Sequence, residues 1–586
     1  MTLPFLHSIR RRKNPIFVLC ALLIIYLLLH VSNYDAKDFQ YQFLSGLTTA
    51  ERKVPQVEAF YLDLFNSINQ YRPLNPPGNW EDLRDKDKCK WSGDISVNDD
   101  GRDANERLSM ENLDECFKLS SIQLNNLKRA HSGYVKNIRD KFDDKNERLT
   151  NSLFPNNVGI VTIGGGRYTV LLMTMIAKLR DTGTSLPIEV IIPPEDEGDD
   201  DFCNVILPKW NGKCVFFKDV LPDELNKKLM LQSYQIKPLA VLLSSFKKIL
   251  FLDADNYAMK DLDHIFESEP FIENGLIVWP DYWRRVTPPA YYKIADINIS
   301  KKKRIRNIND DITPPSYYDN KLKDRDHLLK EVPMHDLEGT IPDPTSESGQ
   351  MVIDKVKHFH TLLLSLYYNL YGPSWYYQIF SQGTSGQGDK ETFIAAAHAL
   401  NKPYYQVTTS LGLKGFFYEN EFRGIGLLQR DFQQDYAQHQ LVKQTIQDHL
   451  EEYSEFKEDY KVADEFNKKL MIPPNGQPLD VMFVHASFYK YEPWDLYNER
   501  RYVNSDGTHF RGFSDLKEFN YFDMELFNFK ILRDTLCSPN KKVEFKFYND
   551  KVFSPEWDNM CTYLKDHVNF LQETHSEAVA KEEASN

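Results

Sequence analysis

Short apolar runs alternate with segments of helical spacing along most of this chain, beginning near residue 158. Uninterrupted apolar runs of this length are typical of strands that are buried on both faces of a parallel sheet. Apolar residues recur every three or four positions in the segments between them, which predicts helices. The pattern therefore predicts an α/β fold with a doubly wound, Rossmann-like nucleotide-binding sheet. The predicted strands cover residues 158–163, 188–192, 215–217, 249–252, 276–279 and 481–485.

Two acidic residues follow the predicted strand at 249–252, where the sequence is Asp253-Ala254-Asp255. Side chains two residues apart in an extended chain point the same way, so both carboxylates can face one cation. Carboxylates at the carboxyl end of a buried strand suit a hard divalent metal that also binds phosphate. Asp-x-Asp also occurs at 261–263 and 324–326, but no apolar strand precedes those copies. We predict that Asp253 and Asp255 bind a metal, with turn capping as the alternative.

The amino-terminal sequence predicts a membrane anchor. A basic cluster at 10–13 precedes an uncharged apolar run at 15–31, and acidic residues follow it. The positive-inside tendency leaves the amino terminus in the cytosol and the rest in the lumen. A cleaved signal peptide is the alternative, although no convincing small-x-small cleavage site follows. We predict a cytosolic tail at 1–14, a signal-anchor at 15–31, a luminal stem at 32–150, a catalytic domain at 151–572 and a polar tail at 573–586.

Charge and cysteine usage agree with a luminal protein. The net charge of −14 argues against general nucleic-acid binding, which needs a basic footprint. Six cysteines follow the apolar run, and an even number in an oxidising compartment suggests disulfides. Pairing of successive cysteines is the simplest arrangement, and buried free thiols are the alternative. The candidates are Cys89, Cys116, Cys203, Cys214, Cys537 and Cys561, and Asn298 begins an Asn-x-Ser sequence that predicts a glycan.

A glycine-rich loop follows the first predicted strand, with the sequence Gly164-Gly165-Gly166-Arg167. Glycines let the backbone approach a ligand closely, and an arginine can bind a diphosphate. A tight turn explains the glycines nearly as well on their own. Because the acid pair also ends a strand of the predicted sheet, we favour a nucleotide diphosphate bridged to these residues by a metal.

Further candidates lie at the ends of later apolar runs. We predict a donor contact for Asp281, which follows the strand at 276–279, although a packed corner is equally consistent with the neighbouring aromatic and basic residues. Asp389 and Glu391 begin a predicted helix, where helix capping competes with a catalytic or sugar-binding role. The predicted acceptor contacts are Trp279, Ser348, Gly349, Gln350 and Glu391.

Five segments of the chain together resemble the fungal Golgi α-mannosyltransferases that branch cell-wall mannan. These segments are GIVTIGGGRY, KPLAVLLSSFKKILFLDADN, GLIVWPDYWRR, SESGQMVID and GDKETF. The resemblance covers about 158–494, together with the anchor and stem layout, and favours the α-1,2 branch-initiating group over the α-1,3 terminal group. It implies a GT-A type fold, GDP-mannose as donor, Mn²⁺ as cofactor and retention of the α configuration.

The resemblance also implies roles for particular residues. Asp253 and Asp255 would hold Mn²⁺ against the donor diphosphate, while an acceptor mannose hydroxyl attacks the anomeric carbon. Asp389 lies where many related enzymes keep an acid near the sugar, and we predict that Asp255 and Asp389 are catalytic. Because Lys390 rather than an amide follows Asp389, a covalent-nucleophile role is doubtful. Attack from the leaving-group face and two successive inversions both remain open.

We further predict that His485 completes the metal site, because it ends an apolar strand as the acid pair does. The segment HASFYKYEPW resembles the His…Lys-Pro-Trp signature of another retaining GT-A group, in which histidine binds metal and lysine binds diphosphate. The match is imperfect, because Tyr491-Glu492 separates Lys490 from Pro493 and the expected glycine is missing. A hydrogen-bonded core histidine is the alternative.

Two other function classes compete with this interpretation. Haloacid-dehalogenase-type phosphatases carry Asp-x-Asp after an apolar strand, but near the start of the domain and with Thr or Val soon after, whereas Asn256 and Tyr257 follow here. A catalytically inactive sugar-binding paralogue is the second, and the intact acid pair argues against it. The predicted partners are GDP-mannose, mannose oligosaccharides on glycoproteins, the Golgi membrane and other Golgi mannosyltransferases.

Overall fold

The computed structural model describes residues 52–580, apart from 86–88, 90–94, 144, 232, 385, 420 and 539–543. The predicted anchor at 15–31 lies outside the described residues. Within the described part, no helix has both the length and the apolar character needed to cross a membrane. The chain divides into two units after Val54, and the second, Pro55–Asn586, carries the features described below.

The strands are numbered in chain order. They are β1 Asn156–Ile163, β2 Ile188–Ile192, β3 Gly212–Phe216, β4 Phe246–Leu252, β5 Asn256–Ala258, β6 Leu276–Pro280, β7 Ser346–Asp354, β8 Tyr405–Gln406, β9 Gly412–Tyr418, β10 Glu421–Arg430 and β11 Val481–His485.

The helices are numbered in the same way. They are α1 Pro55–Gln70, α2 Arg102–Arg107, α3 Met110–Cys116, α4 Ser121–Lys141, α5 Glu147–Leu153, α6 Thr169–Asp181, α7 Asp223–Lys228, α8 Ile236–Leu243, α9 Glu269–Asn274, α10 Pro289–Ala295, α11 Pro315–Tyr318, α12 Arg325–Lys330, α13 Phe359–Leu370, α14 Tyr377–Ser381, α15 Lys390–Ala399, α16 Phe432–Asp448, α17 Pro493–Asn498, α18 Met524–Leu536, α19 Pro555–Glu573 and α20 His575–Ala580.

The larger sheet is a mixed, mostly parallel α/β sheet with the strand order β3-β2-β1-β4-β7-β6-β8. Strand β7 is antiparallel to both of its neighbours, and the other adjacent pairs are parallel. Every residue of β2 is buried, including Glu189, which interrupts the apolar run of that strand. Because β1 and β4 are parallel, their carboxyl ends meet at one edge of the sheet, and the amino end of the antiparallel β7 lies at the same edge.

A smaller antiparallel sheet has the order β5-β11-β10-β9. It matters for the site because β5 follows the acid pair directly and pairs with β11, with Asn256 opposite His485. Its residues Tyr257 and Phe483 belong to the same hydrophobic core as Trp279 of the larger sheet. The hydrophobic pattern predicted β11 but not β9 and β10.

The predicted boundary at residue 150 does not separate the stem from the main domain, because helices α1 to α5 of the predicted stem pack on the main domain. The Tyr61 hydroxyl of α1 donates to the Leu242 carbonyl oxygen at 3.1 Å, and the Tyr134 hydroxyl of α4 donates to the Leu363 carbonyl oxygen at 3.0 Å. At the other end, α19 and α20 continue to Ala580, and Ala578 is buried. Helical structure therefore extends into the predicted polar tail.

Among the described residues, three disulfides join successive cysteines, which is the pairing favoured by the sequence. They are Cys89–Cys116, Cys203–Cys214 and Cys537–Cys561. The second lies at the edge of the larger sheet, because Cys214 belongs to the edge strand β3. Asn298, the predicted glycan acceptor, is exposed in the loop after α10.

Candidate active site

Asp253, Asp255 and His485 come together at the shared edge of the two sheets. One possible ligand atom from each residue lies within 4.8 Å of the other two, which is close enough to hold one metal ion. The geometry follows from the local structure, since the acid pair lies between β4 and β5, and β5 pairs with the end of β11 that carries His485. The Asp253 amide donates to the Gly349 carbonyl oxygen at 2.8 Å, which ties the turn to β7.

Asp255 is the more deeply buried acid, with its side chain 5% exposed against 30% for Asp253. The Lys490 ammonium lies 2.6 Å from Asp255 Oδ2, and His485 Nε2 lies 3.2 Å from Oδ1. Burial alone would raise the pKa of Asp255, but His485 and Lys490 outweigh it and hold that pKa well below its usual range. Asp255 is therefore an ionised carboxylate ready to bind a cation.

Lys237 of α8 is a site residue that the sequence did not reveal. Its buried ammonium lies 3.0 Å from Asp253 Oδ2 and 3.1 Å from Asp389 Oδ2. It also donates to the carbonyl oxygen and the hydroxyl oxygen of Ser348, at 2.9 and 3.0 Å. Although burial opposes its charge, the two carboxylates raise the pKa of Lys237, so it stays protonated. Lys237 therefore links a predicted metal ligand to the predicted sugar-binding acid.

Glu347 of β7 is a second site residue that the sequence did not reveal. Its Oε1 accepts hydrogen bonds from the Ser348 and Gly349 amides at 2.8 and 2.9 Å. Its Oε2 lies 3.6 Å from His485 Nδ1, an ion-pair distance that is too long for a hydrogen bond. Burial would lower the pKa of His485, but Asp255 and Glu347 outweigh it and raise that pKa to about 10.

These residues line a cavity of about 650 Å³. Its wall also includes Ile163 and Tyr168, which flank the glycine loop, and the acidic residues Glu195 and Asp196. The predicted site residues that line it are Asp253, Asp255, Ser348, Asp389, His485 and Lys490. The cavity wall combines oxygen ligands, an imidazole and the three lysines Lys237, Lys390 and Lys490.

Asp389 precedes α15, but its side chain does not cap that helix. It accepts from the Ser348 hydroxyl at 3.2 Å and pairs with Lys237 instead. The capping alternative is therefore wrong for Asp389, and its carboxylate is fixed at the cavity wall. Lys390 lines the same cavity and forms an ion pair with Asp281, so Asp281 lies behind that wall.

The glycine loop packs against the loop that carries Asp196. Gly165 has a φ of +99°, and an added Cβ would lie 2.8 Å from the Asp196 backbone oxygen, so a side chain there would be strained. Arg167 forms a partly exposed ion pair with Asp495 at 2.5 Å. None of the four predicted donor contacts of this loop lines the cavity in the described structure, so their role stays a prediction; they are Gly164, Gly165, Gly166 and Arg167.

Three of the predicted acceptor contacts are corrected by the structure. Trp279 is fully buried in β6 and donates its indole N–H to the Arg430 carbonyl oxygen at 2.8 Å, because core residues cover both faces of that strand. Gln350 is fully buried and accepts from the Asn256 amide. Glu391 forms a buried ion pair with Arg285. These side chains support the site from behind and do not reach the cavity.

Gly349, the remaining acceptor candidate, lies against His485. An added Cβ would lie 2.7 Å from His485 Nδ1 and 3.0 Å from Asn256 Nδ2. Real Cβ atoms essentially never approach a neighbour as closely as the first of these distances. The glycine therefore lets β7 pass close to His485, where a larger residue would displace the imidazole or the strand.

Known proteins resemble this chain over most of its length. A family model described as "Mannosyltransferase putative" matches residues 157–436. The α-1,2-mannosyltransferase MNN5 of Saccharomyces cerevisiae is 48% identical over 89% of this chain and 90% of its own length. MNN2 of the same species is 39% identical over 95% and 93%, and MNN21 of Candida albicans is 37% identical over 79% and 68%.

Solved structures match more weakly. A mutant of the enzyme LgtC is 11% identical and covers 62% of this chain and 94% of its own, with a TM-score of 0.28. A likeness of that degree carries no argument, so the assignment depends on the sequence relatives. At 48% identity over nine-tenths of both chains, this chain is a mannosyltransferase that belongs to the family of the yeast α-1,2-mannosyltransferases.

Proposed function

We propose that the protein transfers mannose from GDP-mannose to mannose chains of N-linked outer-chain mannan, forming α-1,2 linkages with retention. The observation that carries this proposal is the cluster of Asp253, Asp255 and His485 in a polar cavity at the carboxyl edge of an α/β sheet. The relatives' names supply the sugar and the linkage, and the cavity supplies a site for a metal and a diphosphate.

The GT-A assignment is part of the same proposal. A parallel half, β3-β2-β1-β4, is followed in the larger sheet by the antiparallel strand β7, and the acid pair ends the last strand of the parallel half. This order places the acid pair at the edge where nucleotides bind in open α/β sheets.

The donor set fits a divalent cation, and we propose Mn²⁺. Asp253 and Asp255 offer carboxylate oxygens, and His485 would offer Nε2 once metal binding displaces the proton that its raised pKa keeps on the ring. Mn²⁺ accepts this mixture of ligands. When bound, the cation neutralises charge on the departing GDP. Lys490 lies at the open side of the cluster, where its ammonium can also bind the diphosphate.

Asp389 and Lys237 prepare the sugar side of the cavity. Lys237 holds the Asp389 carboxylate and bridges it to Asp253, so the group that faces the sugar and the group that faces the metal keep a fixed separation. Asp389 accepts a hydrogen bond from a mannose hydroxyl and orients the donor for attack by the acceptor. Front-face attack and double displacement both fit these contacts.

We also propose that the enzyme is a single-pass type II protein of the Golgi membrane with a luminal catalytic domain. The apolar run at 15–31 follows a basic cluster, as the positive-inside tendency requires. Three disulfides in the described part suit an oxidising compartment, since they rarely persist in the cytosol.

The test of the proposed reaction is Asp255→Asn, assayed with GDP-mannose, Mn²⁺ and a mannose oligosaccharide. The amide keeps the shape of the side chain but removes its charge, so we expect transfer to fall at least 100-fold with the fold retained. Asp261→Asn, in an acid pair away from the site, is the matched control. NMR of the wild-type product identifies the linkage. Full activity of Asp255→Asn, or wild-type activity in EDTA, would refute the metal site.

A further inference from the structure

A second cavity, of about 330 Å³, lies next to the candidate active site and has a different character. Aromatic side chains dominate its wall, and arginines with one glutamate stand among them. The aromatic residues are Phe416, Tyr418, Tyr489, Tyr502 and Phe510. Their rings contact one another, with centroids 4.9 Å apart for Phe416 and Phe510 and 5.7 Å apart for Tyr489 and Tyr502.

The hairpin β9–β10 presents one face to this cavity. Phe416 and Tyr418 alternate with Phe417 along β9, and Arg423 pairs with Phe416 across the hairpin, so these three cavity residues share a face. Phe417 is 75% exposed on the opposite face. The Arg423 guanidinium lies 4.7 Å from the centre of the Tyr418 ring, which keeps both groups at the rim of the cavity.

A second arginine is held in a similar way on the other side. The Arg501 guanidinium lies 4.1 Å from the centre of the Tyr489 ring, and its Nε lies 2.7 Å from the Glu499 carboxylate. The wall thus offers aromatic faces, fixed N–H donors and a carboxylate acceptor together. Three arginines and one glutamate line this wall, so an anion is the rival ligand. A neutral polyhydroxy ligand is favoured because it can use Glu499 as an acceptor as well as the arginine N–H donors and the aromatic faces.

One short loop forms part of both cavities. After His485 the chain continues through 486–490, where Ser487 and Lys490 line the candidate active site and Tyr489 lines the aromatic cavity. Phe488, between them, is 69% exposed. Adjacent residues are about 3.8 Å apart along the chain, so the two walls are separated by little more than this loop.

We propose that the aromatic cavity binds a distal unit of an extended neutral saccharide whose reacting end lies in the active-site cavity. This inference rests on the proposed function, because the saccharide is the acceptor of the reaction that we propose for the active-site cavity. The apolar C–H faces of a sugar pack on the Tyr and Phe rings, and its hydroxyls bond with Arg423, Arg501 and Glu499. The exposed Phe488 lies on the path between the two units.

Tyr418→Ala and Phe417→Ala form a matched pair for the test, since each removes one aromatic ring from the same strand but from opposite faces. With the purified full-length protein, kcat/KM is measured for a short and a long mannose oligosaccharide. We expect the long-to-short ratio to fall at least five-fold in Tyr418→Ala, mainly through KM, and to stay at the wild-type value in Phe417→Ala. An unchanged ratio in a folded Tyr418→Ala would overturn the inference while leaving the proposed function intact.

Arg423→Ala, at an exposed position, replaces Tyr418→Ala if that variant does not fold, and the same fall in ratio is expected. If the wild type transfers mannose to no acceptor, the proposed function fails, and equilibrium binding of the long oligosaccharide then decides the inference alone. Loss of binding in Arg423→Ala but not in Phe417→Ala supports the site. The inference is overturned if both variants bind the long oligosaccharide equally well. It is also overturned if the aromatic cavity binds inorganic phosphate but no neutral oligosaccharide.

Discussion

At the residue scale, the sequence predicted the charged groups that end strands and missed those that lie within elements. Asp253, Asp255 and His485 follow apolar runs, so their place at the sheet edge could be inferred from pattern alone. Lys237 lies in the first turn of a buried helix, where nothing in the local sequence indicates that it faces two carboxylates. Trp279 was assigned wrongly because a strand-end aromatic looks the same in sequence whether it lines a site or a core.

Lys237→Met tests whether the stability of the site depends on the buried Lys237 ammonium. The change leaves Asp253 and Asp389 without their shared ammonium, and breaking a buried ion pair in this way costs about 3 kcal/mol of unfolding free energy. Mn²⁺ should return part of that loss, because it supplies positive charge to Asp253. We therefore expect thermal melting to show a larger Mn²⁺-induced rise in Tm for the variant than for the wild type.

Lys355→Met is the control for losing a buried lysine, since the Lys355 ammonium binds the carbonyl oxygens of Val241 and Ser244. Its Tm should respond to Mn²⁺ as the wild type does. If Lys237→Met responds no more than Lys355→Met, Lys237 does not support the metal site.

Glu525 predicts a pH dependence of stability that is separate from the active site. Burial raises the pKa of this carboxyl from 4.5 to about 7, against the opposing effect of the Phe513 and Gly512 amides, which donate to it at 2.9 Å. A raised folded-state pKa means that the native state binds more protons than the unfolded state. The contribution of Glu525 to the free energy of unfolding is therefore fully present below pH 4.5 and is lost as the pH rises through 7.

Urea unfolding between pH 4.5 and 8 measures that contribution, which amounts to about 3 kcal/mol from the shift in pKa. Glu525→Gln cannot titrate, so its unfolding free energy should lack this part of the fall with rising pH. Because the amide also loses an acceptor, only the slopes are compared. Equal slopes in the two proteins would show that Glu525 titrates in the folded state as it does in the unfolded chain.

At the element scale, local pattern predicted the parallel strands but not the second sheet. Runs such as Ile249–Leu252 are apolar throughout, and that property is visible without knowing their neighbours. Strands β9 and β10 contain four glycines and several polar residues, and they form strands only because β9 pairs with β10 and β10 pairs with β11. The smaller sheet, which carries His485, therefore depends on contacts between segments that are distant in the chain. Such contacts cannot be inferred from the periodicity of the sequence.

Gly349→Ala tests how closely two elements must pass at the site. Since a methyl group would lie 2.7 Å from His485 Nδ1, either the imidazole or β7 has to move. We expect the Mn²⁺ concentration for half-maximal transfer to rise at least ten-fold, with a smaller change in Tm. Gly78→Ala is the control, because its added Cβ would meet no atom within 4 Å. An unchanged Mn²⁺ requirement in Gly349→Ala would remove His485 from the metal site.

At the scale of the whole molecule, the described chain from Pro55 onward is one unit in which the predicted stem helices and the catalytic core share contacts. The sequence predicted a division at 150 because polar and charged residues dominate before it. Those helices are nevertheless packed through a minority of apolar and tyrosine side chains, such as Tyr61 and Tyr134, which overall polarity hides.

The proposed topology predicts complete protection of this unit in sealed vesicles. Protease added outside should leave 52–580 intact, because the positive-inside tendency places everything after the anchor in the lumen. A glycan on Asn298 should give a mobility shift that endoglycosidase removes and that Asn298→Gln lacks. Vesicles opened with detergent serve as the control for protease activity. Digestion of the unit in intact vesicles would contradict the luminal assignment.

The distance along the chain between the acid pair and its partners His485 and Lys490 has a consequence for biosynthesis. Lys490 follows Asp255 by 235 residues, and His485 lies just before Lys490. A ribosome that has made the whole segment matched by the family model, 157–436, has produced the carboxylates but neither of these cationic partners. The acid pair must therefore wait for the last part of the fold, and a shortened gene that ends before β11 would encode a mannosyltransferase sheet that lacks both partners of Asp255 in the candidate active site.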